Sequence, residues 1–177
     1  MQKNLVITLT GPDQVGLVER FTKLVLDHHG NVDASRMARL GGVFAILMLV
    51  SVPEQDFEAF RTVIRDLRKE GFKLTTNETE QFDSYQYEGW MPYEVELRGA
   101  DHEGILHGVT HHFAEWGINI ETMDTNMVKA PMSGIPLFMM EGIVVAPPGL
   151  NAQEWRDGLV DIGDQLNVEI DVSPYTG

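Results

Sequence analysis

The residues best placed to do chemistry occur twice. Gly11-x-Asp13-x-x-Gly16 leads into Leu17, and about 88 residues later Gly99-x-Asp101-x-x-Gly104 leads into Ile105. Each motif stands between an apolar, β-rich run and a stretch with helical periodicity, so each opens a helix. Asp13 and Asp101 are expected to cap those helices, a contribution of about 1 kcal/mol each. Gly16 and Gly104 are expected in the first turn, where a missing side chain leaves the backbone open to an approaching molecule. Uncommitted N–H groups and the positive end of the helix dipole converge there, which suits a carboxylate or another small anion. About fifteen residues after the second glycine of each motif comes an asparagine, Asn31 in one copy and Asn119 in the other. The structural alternative is that Asp only caps, Gly only permits close packing, and Asn only tolerates the turn into the next strand.

Other chemistry is poorly supported. His107 and His111 have the i, i+4 spacing of two zinc ligands, but Gly108 stands where a metalloprotease helix carries its Glu. His112 and the pair His28-His29 fall near the carboxyl ends of their helices, where partial positive charge is favoured. Asp101-His102-Glu103 offers acid and base types, yet they are consecutive, with no nucleophile or orienting partner at a recognisable spacing. Zero Cys excludes disulfides, thiolate metal sites and a thiol nucleophile. The expectation is a non-enzyme without metal or cofactor. Met123, Met127, Met132, Met139 and Met140 read as strand core and hairpin filler, and Glu154, Asp157, Asp161 and Asp164 as the wet face of a helix.

The elements that must position the twin motifs are themselves duplicated. Asn31 and Val32 match Asn119 and Ile120, and matching Gly30 to Gly117 takes a one-residue shift. In the first copy Leu17, Val18, Phe21, Leu24 and Val25 mark an amphipathic helix. Two strands, 31–40 and 43–52, are joined by Gly41-Gly42, and so short a connection makes them antiparallel neighbours. Phe57, Phe60, Ile64 and Leu67 line a second helix ending at Gly71, and 72–79 is a last strand. The second copy repeats the order with Ile105, Val109, Phe113 and Trp116, then Trp155, Leu159, Ile162 and Leu166. Its middle hairpin is longer, through Lys129-Ala130-Pro131-Met132-Ser133-Gly134. The reading is α+β, two ferredoxin-like βαββαβ domains with antiparallel sheets, at 1–80 and 93–177, joined by a linker at 81–92. Leu5-Val6-Ile7 and Phe44 to Val50 are apolar at both parities. Since two helices cover only one face of each sheet, something apolar, the partner repeat or another subunit, is expected on the other.

The chain has 177 residues, 43% hydrophobic, and a formal net charge of −14. Residues 1–80 hold 10 basic and 11 acidic residues, and 81–177 hold 3 and 16. Such a balance repels phosphate backbones, so no direct nucleic-acid binding is expected. No stretch reaches the ~20 apolar residues of a membrane span, and the start lacks the layout of a signal peptide, so the expected location is cytoplasmic.

The run LVITLTGPDQVGLVERFTKLVLDHHGNVDASRMARLGGVFAILMLVS closely resembles the amino-terminal ACT domain of the glycine cleavage system transcriptional repressor family, most specifically at Asn31, Ser35 and Arg36 followed by Leu40-Gly41. The resemblance covers the chain as a tandem pair of ACT domains, the second half matching the general ACT pattern. It implies a regulatory module that binds a small, glycine-like amino acid as effector and contacts a protein partner such as a transcriptional activator, in a homo-oligomer. The ligand site it implies uses Asp13, Gln14, Val15, Gly16 and Leu17 with Asn31 and Val32. The second would use Asp101, His102, Glu103, Gly104 and Ile105 with Asn119 and Ile120. In paired ACT domains the loop of one module faces the strand of the other. Ser35-Arg36 becomes Met123-Asp124 in the second copy, so the resemblance implies unequal sites.

Overall fold

The computed structural model describes residues 1–79, 87–130 and 134–176. Much of the expected linker, and Met132 with the tip of the long hairpin, lie outside them. The chain divides into two compact units, Met1–Asp83 and Ser84–Gly177.

The first unit runs β1 (Gln2–Pro12), α1 (Leu17–Asp27), β2 (Asn31–Leu40), β3 (Val43–Pro53), α2 (Glu54–Asp66), a 3-10 turn Leu67–Glu70 and β4 (Lys73–Thr79). The second runs β5 (Met91–Ala100), α3 (Ile105–Glu115), β6 (Asn119–Lys129), β7 (Pro136–Ala146), α4 (Ala152–Leu166) and β8 (Val168–Pro174). The sheets have strand orders β2-β3-β1-β4 and β6-β7-β5-β8. Every pairing is antiparallel. These are the two α+β, ferredoxin-like sheets expected from the tight middle hairpin, with the first and third strands central.

Each unit has its own core, built by strand alternation on one side and helical periodicity on the other. In the first, Leu5, Ile7 and Leu9 of β1 and Ile46, Met48 and Val50 of β3 are buried with Phe21 and Val25 of α1 and Phe57, Phe60 and Ile64 of α2. In the second, Tyr93, Val95 and Leu97 meet Val109, Phe113, Trp155 and Leu159. Tyr93 stands edge-on to Trp155 at 5.2 Å between centroids. His112 is part of this core rather than of a solvated helix end. It is 4% exposed, and its Nε2 lies 2.7 Å from the Trp155 carbonyl oxygen. Gly158 makes the room, since a Cβ there would stand 2.8 Å from the ring.

The repeat is in register throughout its first half, with no shift. Gly117 corresponds to His29, not to Gly30, and both take the left-handed conformation, at φ 65° and 56°. Gly30 N–H bonds to the Val25 carbonyl at 2.9 Å and Ile118 N–H to that of Phe113 at 2.8 Å. The same turn closes both helices.

The open faces of the sheets differ, which corrects the expectation that apolar material must cover both. The first presents Val6, Thr8, Ala45, Leu47 and Leu49, with Ala34, Arg36 and Ala38 beside them. The second is acidic. Asp124 stands opposite Glu141, Glu141 opposite Glu96, and Glu96 opposite Asp171, a single row of carboxylates across all four strands. In the first unit the corresponding row is Arg36, Leu47, Thr8 and Thr75. The cause is strict alternation along Tyr93-Glu94-Val95-Glu96-Leu97-Arg98, which buries the odd residues and wets the even ones.

Candidate functional site

The two strand-to-helix loops share one backbone device. Gly16 and Gly104 are the N-caps of α1 and α3, both left-handed, at φ 84° and 95°. This corrects the placement of these glycines inside the first turn and of the aspartates as caps, for neither helix has a side-chain cap. A capping oxygen reaches the second or third helical N–H only from the N-cap position itself, and Asp13 and Asp101 stand three residues earlier. Asp13 Oδ2 instead lies 3.6 Å from Arg39 Nη1. The Asp101 N–H donates to the Pro136 carbonyl at 3.1 Å.

With no side chain filling the cap, the amides stay available. Leu17 N–H bonds back to the Gln14 carbonyl at 3.2 Å, and Gly16 and Gly104 carbonyls accept from Arg20 and Gly108, both at 2.9 Å. The N–H groups of Gly16, Val18 and Glu19, and of Gly104, Leu106 and His107, find no acceptor among the described residues. Nothing stands within 4 Å of where a Cβ would sit on either glycine. Leu17 and Ile105 are buried in their cores, so they anchor the loops and can offer a ligand only backbone. Gln14, Val15 and Glu103 are exposed.

His102 has fixed geometry. Its Nε2 lies 2.6 Å from the carbonyl oxygen of Leu166, the last residue of α4, and its Nδ1 lies 3.0 Å from that of Glu103. The Leu166 carbonyl chiefly, then the Glu103 carbonyl, raise its pKa above the ordinary 6.5 against a smaller cost of desolvation, with the Asp101 charge adding least.

Within one module the structure does not bring the loop and the asparagine together. Pro12 and Leu40 both stand opposite Val43, whereas Asn31 stands opposite Ser51. The loop therefore leaves one end of the sheet and Asn31 and Val32 begin the other, about 26 Å apart over the eight steps from Val43 to Ser51. Asn119 and Ile120 sit likewise at the Val145 end, away from Asp101. Asn31 donates from Nδ2 to Asp33 at 2.7 Å, which leaves its side-chain oxygen to accept.

The remaining histidines have local roles. His107 and His111 stack at 5.8 Å, and His111 is 3.5 Å from Glu115. Among the described residues no group of three His, Asp or Glu is placed to hold a metal ion. Met140 is buried and Met123 packs on the core, but Met127 is 64% exposed. A concavity of about 180 Å³ lies on the acidic sheet face, lined by Glu96, Arg98, Met139, Glu141, Glu169 and Asp171. Sequence reading missed both this face and the double bonding of His102. The first becomes visible once the hairpin register is known.

Comparison with known proteins agrees with this architecture. The family model described as ACT domain matches residues 3–76. A solved structure of an unknown protein from Galdieria sulphuraria is 31% identical, covers 99% of this chain and 100% of its own, and has a TM-score of 0.84. A structure provisionally described as a glycine cleavage system transcriptional repressor is 21% identical, with TM-score 0.70 over 100% of this chain and 99% of its own, a likeness of fold. The UPF0237 protein of Methanosarcina mazei is 30% identical over 53 residues, 30% of this chain, and the chain spans 58% of that relative's length. No helix among the described residues is long and apolar enough to cross a membrane. Residues 3–76 carry the ACT-domain pattern, and the second unit repeats the same βαββαβ order and strand order, so the chain is a tandem pair of ferredoxin-like modules of which the first is an ACT domain.

Proposed function

We propose that the chain is an amino-acid-sensing regulatory protein that controls glycine cleavage genes through contact with a protein activator, without touching DNA. The observation that carries the reading is the matched pair of loops, each with a left-handed glycine cap, uncommitted amides and a buried residue behind. The amides would hold a carboxylate, and the side-chain oxygen of Asn31 or Asn119 would take the ammonium group of a small amino acid such as glycine. Loop and asparagine occupy opposite ends of one sheet, so a ligand touching both sets would take the loop from one module and the asparagine from another. Such a ligand shifts the arrangement of modules only by its differential affinity for one of them. The regulatory role is supported by the match of residues 3–76 to the ACT domain. The gene target and the activator rest on the resemblance at Asn31, Ser35 and Arg36. The net charge of −14 argues against a phosphate backbone as direct partner. Cytoplasmic location, a homo-oligomer and unequal sites, Arg36 being replaced by Asp124, belong to the same reading.

Calorimetry of the full chain against the twenty amino acids tests it. The expected result is heat with a small amino acid, reduced in Gly16→Ala and in Asn31→Ala, each of which leaves the other loop or asparagine in place, while circular dichroism stays unchanged. Heat with none of the twenty overturns the reading. A ligand-free assembly module is the alternative, favoured by exposed Leu40, Val43 and Leu47 beside one sheet face. For that reading, sedimentation would give an oligomer indifferent to every amino acid.

A further inference from the structure

The His102 ring faces two carbonyl oxygens, Leu166 at 2.6 Å and Glu103 at 3.0 Å. A carbonyl oxygen only accepts, so both ring nitrogens must donate, and only the imidazolium does so. In either neutral tautomer one nitrogen would turn a lone pair toward a carbonyl. The contact to Leu166 spans 64 residues of sequence and joins the loop before α3 to the carboxyl end of α4, where the helix's own carbonyls favour positive charge. Among the described residues the first loop has no such tie. Gln14 stands at the equivalent position, exposed, and its side chain makes no hydrogen bond among the described residues.

We propose that His102 is a proton-operated latch, which when protonated pins the second strand-to-helix loop to the end of α4 and places a cation beside its free amides. The latch is independent of any ligand. Its consequence, that the second anion site is proton-gated and the first is not, rests on the function proposed above. The charged groups on the elements meeting the ring are Asp101 and Glu103 in its own loop, His107 in the first turn of α3, Asp164 in the last turn of α4 and Glu169 at the start of β8. Of these, the Asp101 carboxylate acts on the ring in the direction that favours protonation. Because the folded ring holds its proton more tightly than a free one, the latch is fully closed below the free value of 6.5. It opens as pH rises through the folded value.

Nitrogen-15 NMR of the full chain, titrated from acid to alkaline pH, tests the latch. The His102 ring is expected to titrate above 6.5. The amides of Glu103, Gly104, Ile105 and Asn167 should move with the same midpoint in the wild type and stay still in His102→Gln. A ring that titrates at or below its free value, or loop amides that ignore it, overturns the latch without recourse to any variant. Glycine is the probe for gating. Its affinity at the second loop should fall about two- to fivefold as the ring loses its proton, the reach of a surface charge pair, and should be flat in His102→Gln. A ring that titrates above 6.5 with the loop amides following it, but with no glycine heat at any pH, overturns the gating together with the ligand reading and supports the latch.

Discussion

Glu96→Gln should stabilise the second module, because the native row of carboxylates works against its own sheet. Glu96 faces Glu141 on one side and Asp171 on the other, and no ion pair or hydrogen bond among the described residues offsets those three charges. Like charges directly opposite on neighbouring strands cost about 0.2–1 kcal/mol per pair. A Coulomb estimate agrees, since two unit charges splayed to roughly 6 Å in water repel by about 0.7 kcal/mol at low ionic strength. Two such pairs amount to about 1.4 kcal/mol. Gln keeps the shape and length of Glu, so removal of the charge relieves this with no packing lost.

The relief must depend on salt. At about 0.15 M the screening length of ~8 Å halves it, and at about 1 M the ~3 Å length leaves almost nothing. Thermal unfolding at low salt should therefore show a rise of roughly 6–11 °C in the transition of the second module, by the usual ~4–8 °C per kcal/mol for a unit this size. The rise should shrink to about 1 °C in 1 M salt. Asp161→Asn removes one exposed charge from α4 and serves as the control. If Glu96→Gln stabilises no more than Asp161→Asn, or stabilises equally at both salt concentrations, cross-strand repulsion is not what the row exerts.

Glycine and histidine positions give further tests. Gly104→Ala loses no contact but must hold φ near 95°, so chemical denaturation should register a loss of about 1 kcal/mol from left-handed strain. Gly99→Ala keeps an ordinary backbone yet drives a Cβ into Val168, and overpacking of that kind should cost about 1–3 kcal/mol. Equal small effects at both would refute the distinction between conformational and steric glycines. His112→Ala empties a buried position and removes its hydrogen bond to the Trp155 carbonyl within α4, so urea unfolding should show a loss of about 2–4 kcal/mol confined to the second module. A loss below about 0.5 kcal/mol would mean that the ring is replaceable filler.

What could be read from the sequence was whatever depends on local periodicity. The helix carrying Phe21 and Val25, the Gly41-Gly42 hairpin and the αL stop at Gly71 are each written in a few adjacent residues, and so is the duplication that gives the fold class. The loop could be located for the same reason. Its chemistry was harder to read, because which residue becomes the N-cap depends on a dihedral angle. Asp13 has the right chemical type three positions too early, while Gly16 owes its place to positive φ. The Leu166 contact of His102 was invisible, since it depends on where α4 ends against a loop 64 residues away. The carboxylate row was hidden in the same manner: Asp124, Glu96, Glu141 and Asp171 are unremarkable one by one and become a row only through register.

The divergence of the copies follows a physical rule. Backbone devices were retained at a constant spacing: glycine caps at 16 and 104, left-handed helix ends at 29 and 117, strand glycines at 11 and 99 that a neighbouring side chain fills. At the caps and the strand glycines a side chain would strain the main chain or collide with a neighbour, so substitution is costly in either copy, whereas at the helix ends the left-handed conformation is kept although the residue differs, His29 against Gly117. Charge on an open sheet face is bound by no such constraint. Arg36 could become Asp124, and Leu47, Thr8 and Thr75 could become Glu141, Glu96 and Asp171, at a cost of a few tenths to about 1 kcal/mol for each cross-strand pair. Two modules built on one backbone can thus present loops of the same kind while meeting the outside through surfaces of opposite character. A second acidic face on the first module, obtained with Arg36→Asp, Leu47→Glu, Thr8→Glu and Thr75→Asp, should leave that module folded and erode its stability in a salt-dependent way. Collapse of the fold under that change would show that the open face of the first sheet, and not only its core, is needed to hold the module together.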